Sequence, residues 1–208
     1  PITAGGLIFG SNGYVITGDT LTLSAVAGLS SSSINVAAFE RAEIDSIIAG
    51  SSGLTKTGNG TLQLGNNNNT FSGDVVINGG AIVITNGAQL GTGKTTISVN
   101  GLANGGNPGF SGGSLVVQGG LNGITIDRGI SIVGRGPGAY NNTAGFISIG
   151  NNTFTGNMVL GSTGSEGRML AASGITTITG GLQLGTGGAE AFVGNGNFII
   201  SGIVTGYD

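Results

Sequence analysis

The feature that most constrains this chain is a short alternating β-strand that recurs along its length, with turns of Gly, Asn, Ser and Thr between copies. Clear examples occupy residues 14–17, 20–24, 61–64, 81–85 and 175–179. β-Branched residues that alternate with small polar ones over such short runs indicate strands buried on one side. The 46 glycines supply corners with positive φ and argue against long helices.

The composition predicts a folded chain with few electrostatic partners. Charged residues make up 7% and hydrophobic residues 38%, which is not the balance of a disordered chain. The net charge is −3 and the six basic residues are scattered, so we expect neither nucleic-acid binding nor membrane insertion of this segment. Cysteine is absent from the sequence, which excludes disulfides. Because the chain begins with Pro1 rather than methionine, we expect a processed product or an excised fragment.

A longer unit also repeats within the chain. The run 68–77 recurs further along as the run 151–160. The identical pairs include Thr70/Thr153, Phe71/Phe154, Gly73/Gly156 and Val76/Val159. Degenerate units of this kind indicate rungs that stack and share one core. We therefore predict a single all-β solenoid over 1–208, with aliphatic columns inside, Phe71 and Phe154 in the interior, and Asn and Thr ladders at the corners.

A β-sandwich is the alternative for strands of this length. Stacked rungs place like residues about 4.8 Å apart in unbroken columns and need few charges on their faces. A sandwich has a solvated outer face that would carry more charge than this chain has. The composition therefore favours the solenoid.

Residues 34–49 fit this pattern less well. They contain four of the fifteen charged residues and could form an amphipathic helix that ends at Gly50. Ile34, Val36 and Ile44 also fit a strand ladder. We favour strands here and keep a short decorating helix as the alternative.

In these short strands and glycine-rich turns the chain resembles the autotransporter-associated β-strand repeat, also called the passenger-associated transport repeat. The best-matching copy covers 53–93, with the runs GLTKTGNGTLQLG at 53–65, NTFSG at 69–73 and QLGTG at 89–93. Residues 151–208 resemble a partial second copy, or the approach to the next. The resemblance implies a right-handed parallel β-helix of short stacked rungs.

The same resemblance implies a non-catalytic structural or adhesive role. We expect a secreted passenger segment on the bacterial cell surface, associated with the outer membrane and used in surface display, adhesion or biofilm formation. Its expected partners are neighbouring copies of itself or adjoining rungs, and host or matrix glycans and proteins. An alternative is a subunit of an extracellular filament built by head-to-tail stacking. Lys56 occupies the lysine position of the repeat, and we interpret it as a solvated charge that blunts lateral strand pairing.

Catalytic groups are scarce in the sequence. Histidine is absent, which excludes His-based triads and His metal sites. Glu40, Glu43 and Asp45 cluster around Arg41, and we interpret them as a solvated charged face rather than an acid/base pair. We therefore predict no enzyme, and no catalytic, cofactor-binding or metal-binding residues. A polysaccharide-active β-helix enzyme is the rival hypothesis.

Threonine pairs in a regular array on one face are a feature of ice-binding solenoids. Thr-x-Thr pairs begin at Thr20, Thr55, Thr153 and Thr177. Their spacing along the sequence is irregular, whereas an ice-binding face needs a pair on every rung. The sequence thus argues against ice binding.

Overall fold

A computed structural model describes residues 2–101, 112–135, 145–162, 165–186 and 190–206. Within these ranges the chain forms β-strands and one short 3-10 turn at Gly87–Leu90, without an α-helix. In chain order the strands are β1 (Ile2–Ala4), β2 (Gly6–Phe9), β3 (Tyr14–Ile16), β4 (Leu21–Leu23), β5 (Ser31–Val36), β6 (Arg41–Ile44), β7 (Ile48–Ala49), β8 (Gly53–Thr57), β9 (Thr61–Leu64), β10 (Val75–Ile77), β11 (Gly80–Ile84), β12 (Ile97–Asn100), β13 (Gly113–Ile126), β14 (Ile130–Val133), β15 (Phe146–Phe154), β16 (Met158–Leu160), β17 (Arg168–Ser173), β18 (Ile175–Ile178), β19 (Leu182–Leu184), β20 (Ala191–Val193), β21 (Asn197–Ile200) and β22 (Val204–Gly206).

Successive strands turn through three faces and then stack on the previous turn. Face 1 begins with β1, β4 and β7 and ends with β18 and β21; face 2 runs β2-β5-β8-β10-β12-β14-β16-β19-β22; face 3 runs β3-β6-β9-β11-β13-β15-β17-β20. β13 and β15 continue around the corner from face 3 to face 1, where 124–126 pair with 152–154 and these pair with β18. Every pairing between named strands in the described chain is parallel. The fold is the β-solenoid that the sequence predicts.

The rungs differ in length although the strands stay in register. The stretch of chain from Arg41 to its register partner Thr61 is much shorter than the stretch from Ser98 to its register partner Ser131. The additional residues of the longer rungs lie between the paired strands. The sequence repeat is therefore degenerate while the ladder is continuous.

Alternation of inward and outward side chains builds one interior along the axis. On face 3, Leu62, Ile82, Leu115 and Phe146 stack in register and are all fully buried. Phe146 also meets Phe154 edge to face, with ring centroids 5.0 Å apart. Such pairs add about 0.5–1.5 kcal/mol beyond the area they bury.

Residues 34–49 form strands. β5, β6 and β7 contribute to faces 2, 3 and 1, with Ile34, Val36 and Ile44 inside. The strand expectation is confirmed and the helix alternative is wrong. The physical reason is that pairing with β8 and β9 satisfies this backbone and buries its apolar residues. No helix in the described part of the chain has the length and apolar character to cross a membrane.

Candidate functional site

Lys56 lies inside the solenoid and not on its surface. It is opposite Ile34 on one neighbouring strand and Ile77 on the other, so it occupies a position in an aliphatic column of face 2. Its exposure is 0%. The interpretation of Lys56 as a solvated charge is wrong. The alternation of β8 places Leu54 and Lys56 on the same side of the strand, and the buried Leu54 determines that this side faces inward.

Backbone carbonyls surround the Lys56 ammonium group at the corner after β8. Nζ donates to the carbonyl oxygens of Thr57 at 2.7 Å, Gly58 at 2.8 Å and Gly79 at 3.1 Å. Burial lowers the pKa of Lys56 from 10.5 to about 7, because removal from water disfavours the charged form. The three carbonyl groups act in the opposite direction and favour the ammonium. Lys56 thus ties two successive rungs together from inside.

A second interior polar group lies at the next corner, where the chain passes from face 3 to face 1. Asn69 is buried; its Oδ1 accepts from the Ile48 backbone N–H at 2.8 Å, and its Nδ2 donates to the Gln89 carbonyl at 2.8 Å. The Gln89 side chain is buried too, accepting from the Thr85 N–H at 2.8 Å and donating to Asn67 Oδ1 at 2.9 Å. Asn69 therefore bridges the rung before it and the rung after it.

The second copy of the repeated unit repeats the acceptor half of this arrangement, whereas its amide nitrogen, Asn152 Nδ2, donates to Ser148 Oγ at 2.9 Å within its own rung. Asn152 is buried like Asn69, and its Oδ1 accepts from the Ile124 backbone N–H at 3.3 Å in the preceding rung. Phe71 and Phe154 follow two positions later and are fully buried, which confirms their predicted interior position. The sequence echo thus marks a corner that the fold uses twice, with an amide inside and a phenyl ring beneath it.

The predicted charged cluster lies on the outer surface of face 3. Arg41 Nη2 donates to Gln63 Oε1, and Gln63 Nε2 donates to Glu43 Oε1 at 2.7 Å. Arg41 and Asp45 are exposed, whereas Glu40 and Glu43 are half-buried. Gln63, on the neighbouring strand, therefore hydrogen-bonds to both side chains and lies between the charges of Arg41 and Glu43.

A charged corner that the sequence analysis missed lies further along the chain. Glu166 is buried, and its Oε1 contacts Arg135 Nε and lies 3.5 Å from Arg168 Nε. Arg168 is two residues from Glu166 along the chain, whereas Arg135 belongs to the preceding rung and only the register of the fold brings it to this carboxylate. Within the described ranges, His, Cys, Asp and Glu form no group of three suited to a metal ion.

A groove runs along the outer surface of face 1 over several rungs. Thr125, Thr153 and Thr177 stack in register along it, and Ile199 continues the row. The groove has a volume of about 310 Å³ and is lined also by Asn122 and Ile175. The pairs that begin at Thr153 and Thr177 therefore lie on adjacent rungs of one face, although their sequence spacing gave no sign of it.

Comparison with protein families identifies the stretch that contains Lys56 and Asn69. Residues 54–84 match the model of the passenger-associated transport repeat. The chain contains a passenger-associated transport repeat. The match covers β8 to β11 and confirms the resemblance seen in the sequence. The wider bounds 53–93 and the partial second copy at 151–208 stay predictions, and the latter includes residues outside those described.

The chain is also similar to a much longer protein. It is 32% identical over 203 residues to the adhesin BmaC autotransporter of Brucella suis biovar 1 (strain 1330). The alignment covers 95% of this chain and 5% of that protein. No solved structure matches the chain.

Proposed function

We propose that this chain is a non-catalytic segment of an extracellular passenger solenoid on a bacterial surface, where it supplies length, rigidity and adhesive surface. The observation that carries the proposal is the similarity over nearly the whole chain to part of an autotransporter adhesin. The passenger repeat at 54–84 adds independent support.

The fold suits such a role physically. On face 2, nine parallel strands form one ladder in the described chain, and a single interior runs through the stack. Each rung is supported by its two neighbours, so stability grows with the number of rungs. A rod of this kind holds its outer faces at fixed positions far from its anchor.

An adherence assay tests this proposal. Beads that carry the covalently coupled chain are applied to cultured epithelial cells and to extracellular-matrix coatings, beside beads that carry an unrelated protein of equal charge. We expect more bound beads with the chain, and inhibition of binding by the soluble chain. Equal binding of both bead types on every surface would contradict the adhesive role.

Surface location and biofilm formation are part of the same proposal. We propose that the parent protein holds the segment at the outer membrane and that cell-to-cell contact through it promotes biofilm. Expression in the native host of the parent protein, with and without residues 1–208, tests both the surface location and the effect on biofilm. Surface labelling of the segment and thicker biofilm with it are expected; unlabelled intact cells or equal biofilm would contradict these points.

A filament built by end stacking is the second candidate. In the described chain β22 pairs on one side only, with β19, and Ile203 just before it and Val204 at its start are 78% and 53% exposed; a further rung, of the same chain or of another copy, would cover this edge. Unpaired strand edges of this kind accept further strands. If the ends stack, electron microscopy of the purified chain will show fibres one solenoid wide. Monomers at high concentration would contradict the filament.

A polysaccharide-cleaving activity is the rival to a non-catalytic role. Incubation with neutral and acidic polysaccharides, followed by measurement of new reducing ends and unsaturated products, distinguishes the two. We expect no turnover. Turnover that is abolished by Glu43→Gln or Asp45→Asn would overturn the non-catalytic proposal.

A further inference from the structure

We infer that the groove on face 1 binds an uncharged, extended polysaccharide that lies along the solenoid axis. This inference rests on the proposed adhesive function and names the chemical class of its ligand. The groove is the surface between the row Thr125–Thr153–Thr177–Ile199 and the neighbouring residues Asn122 and Ile175.

The ladder gives the groove a repeat that suits a polymer of sugars. Thr125, Thr153 and Thr177 are paired residues on adjacent parallel strands, and such strands lie about 4.8 Å apart. This spacing is close to the length that one pyranose unit adds to an extended glycan. A chain that runs along the axis can therefore meet one threonine hydroxyl per sugar unit over successive rungs.

The hydroxyl groups of the row are available to a ligand. Among the described residues, the Oγ1 atoms of Thr125, Thr153 and Thr177 have no hydrogen-bond partner. Thr155 and Thr179, at the neighbouring corner, instead direct Oγ1 toward backbone carbonyls at 3.5 and 3.4 Å. The hydroxyls in the row can donate and accept, as recognition of sugar hydroxyls requires.

Aliphatic side chains complete the surface. Ile175 and Ile199 line the groove and are 39% and 49% exposed. Partly exposed isoleucines beside polar groups can pack against the apolar C–H side of a sugar ring, with the gain that burial of apolar surface brings. Small-molecule sites generally combine apolar walls with a few polar groups in this way.

Charge selects among the possible glycans. Every residue that lines the groove is uncharged. The carboxylate nearest in sequence, Asp127, is paired with Lys94 at 2.7 Å. An acidic glycan would find no Arg or Lys in the groove to replace the water around its carboxylates or sulfates. The electrostatic match is therefore to a neutral polymer.

Isothermal titration calorimetry of the whole chain tests this inference. The probes are soluble cello-, N-acetylchito- and manno-oligosaccharides of two to six units, with oligogalacturonate and hyaluronan fragments as acidic comparators. We expect binding of at least one neutral series, with affinity that rises with length and levels off once the sugar units span the row of four side chains. Absence of binding in every neutral series, or tighter binding of an acidic series, would overturn the inference.

Variants locate the site on the groove. Thr153→Val combined with Thr177→Val removes two hydroxyls and keeps the β-branched shape that strands favour. We expect roughly fivefold weaker binding per hydroxyl removed. Thr22→Val is the matched control, because Thr22 also faces outward on face 1 but lies in β4. Ile175→Ser is a second groove variant, and it is expected to weaken binding without change in circular dichroism.

The bead assay keeps this inference separate from the proposed function. If wild-type beads adhere and the double variant adheres equally, with no competition from neutral glycans, the groove inference fails and the adhesive role stands. If wild-type beads do not adhere but the chain binds neutral glycans through the groove, the adhesive role fails and the site stands. Binding by the double variant as tight as that of Thr22→Val would also overturn the assignment.

Discussion

Replacement of Asn69 by alanine is the most informative perturbation of the interior. The side chain is 3% exposed and makes two hydrogen bonds of 2.8 Å, one from the Ile48 N–H and one to the Gln89 carbonyl. Asn69→Ala leaves both backbone groups buried without that partner, at a cost of about 1–3 kcal/mol for each. We therefore expect a loss of roughly 2–6 kcal/mol in the free energy of unfolding.

The neighbouring asparagine supplies the control. Asn68 is exposed and its side chain hydrogen-bonds to no described residue, so Asn68→Ala should change stability by less than about 0.5 kcal/mol. Guanidinium denaturation followed by circular dichroism measures both variants. Equal denaturation midpoints for the two variants would refute the claim that Asn69 bridges the rungs.

A third variant separates the two hydrogen bonds. Asn69→Asp keeps the acceptor for the Ile48 N–H and loses the donor to the Gln89 carbonyl. Burial raises the pKa of a carboxyl group, and the protonated form regains a donor. The stability of Asn69→Asp should therefore rise relative to the wild type as the pH falls, and a constant difference across pH would contradict this reasoning.

Three further predictions concern the buried lysine Lys56, the phenyl rings and the glycines at the corners. The pKa of Lys56 is lowered from 10.5 to about 7, so between these pH values the unfolded chain binds more protons than the folded chain. The free energy of unfolding should therefore rise with pH by at most about 1.4 kcal/mol per pH unit. In denaturation experiments, Lys56→Met should lack this rise. Phe154→Ala should cost about 3–5 kcal/mol, whereas Phe192→Ala, at a side chain that is 37% exposed, should cost clearly less in the same denaturation experiment. A Cβ on Gly73 would overlap the backbone of Gly53, whereas a Cβ on Gly10 meets nothing within 4 Å. Gly73→Ala should therefore lower the midpoint of thermal unfolding, and Gly10→Ala should not. Equal midpoints for the two variants would contradict the close approach of the backbone at Gly73.

The periodicity of the sequence predicts much of the fold. Short runs with period two indicated the strands, and the echo between 68–77 and 151–160 indicated the interior position of Phe71 and Phe154. The same periodicity also indicates that Lys56 faces inward, because Leu54 and Lys56 share one side of β8. The prediction failed there because a charged residue was assigned to solvent by type, although backbone carbonyls at a corner can solvate an ammonium group inside.

The surface groove could not be predicted from the sequence. Thr125 is further from Thr153 along the chain than Thr153 is from Thr177, yet both pairs are register partners. When rung length varies in this way, linear spacing does not reveal which residues stack. The same argument applies to Glu166 and its partner Arg135, which lie in different rungs.

Electron paramagnetic resonance on spin-labelled cysteine pairs, by line broadening at the shorter separations and by pulsed dipolar measurement at the longer ones, tests the stacked solenoid most directly, and the cysteine-free chain is well suited to it. Ser98, Ser131, Val159, Gln183 and Thr205 form one outward column of register partners on face 2. With one label at Ser98 and the second moved along this column, the stacked rungs predict a backbone separation that grows by about 4.8 Å per rung. Distances that do not grow steadily along the column, as in a two-sheet sandwich, would contradict the account.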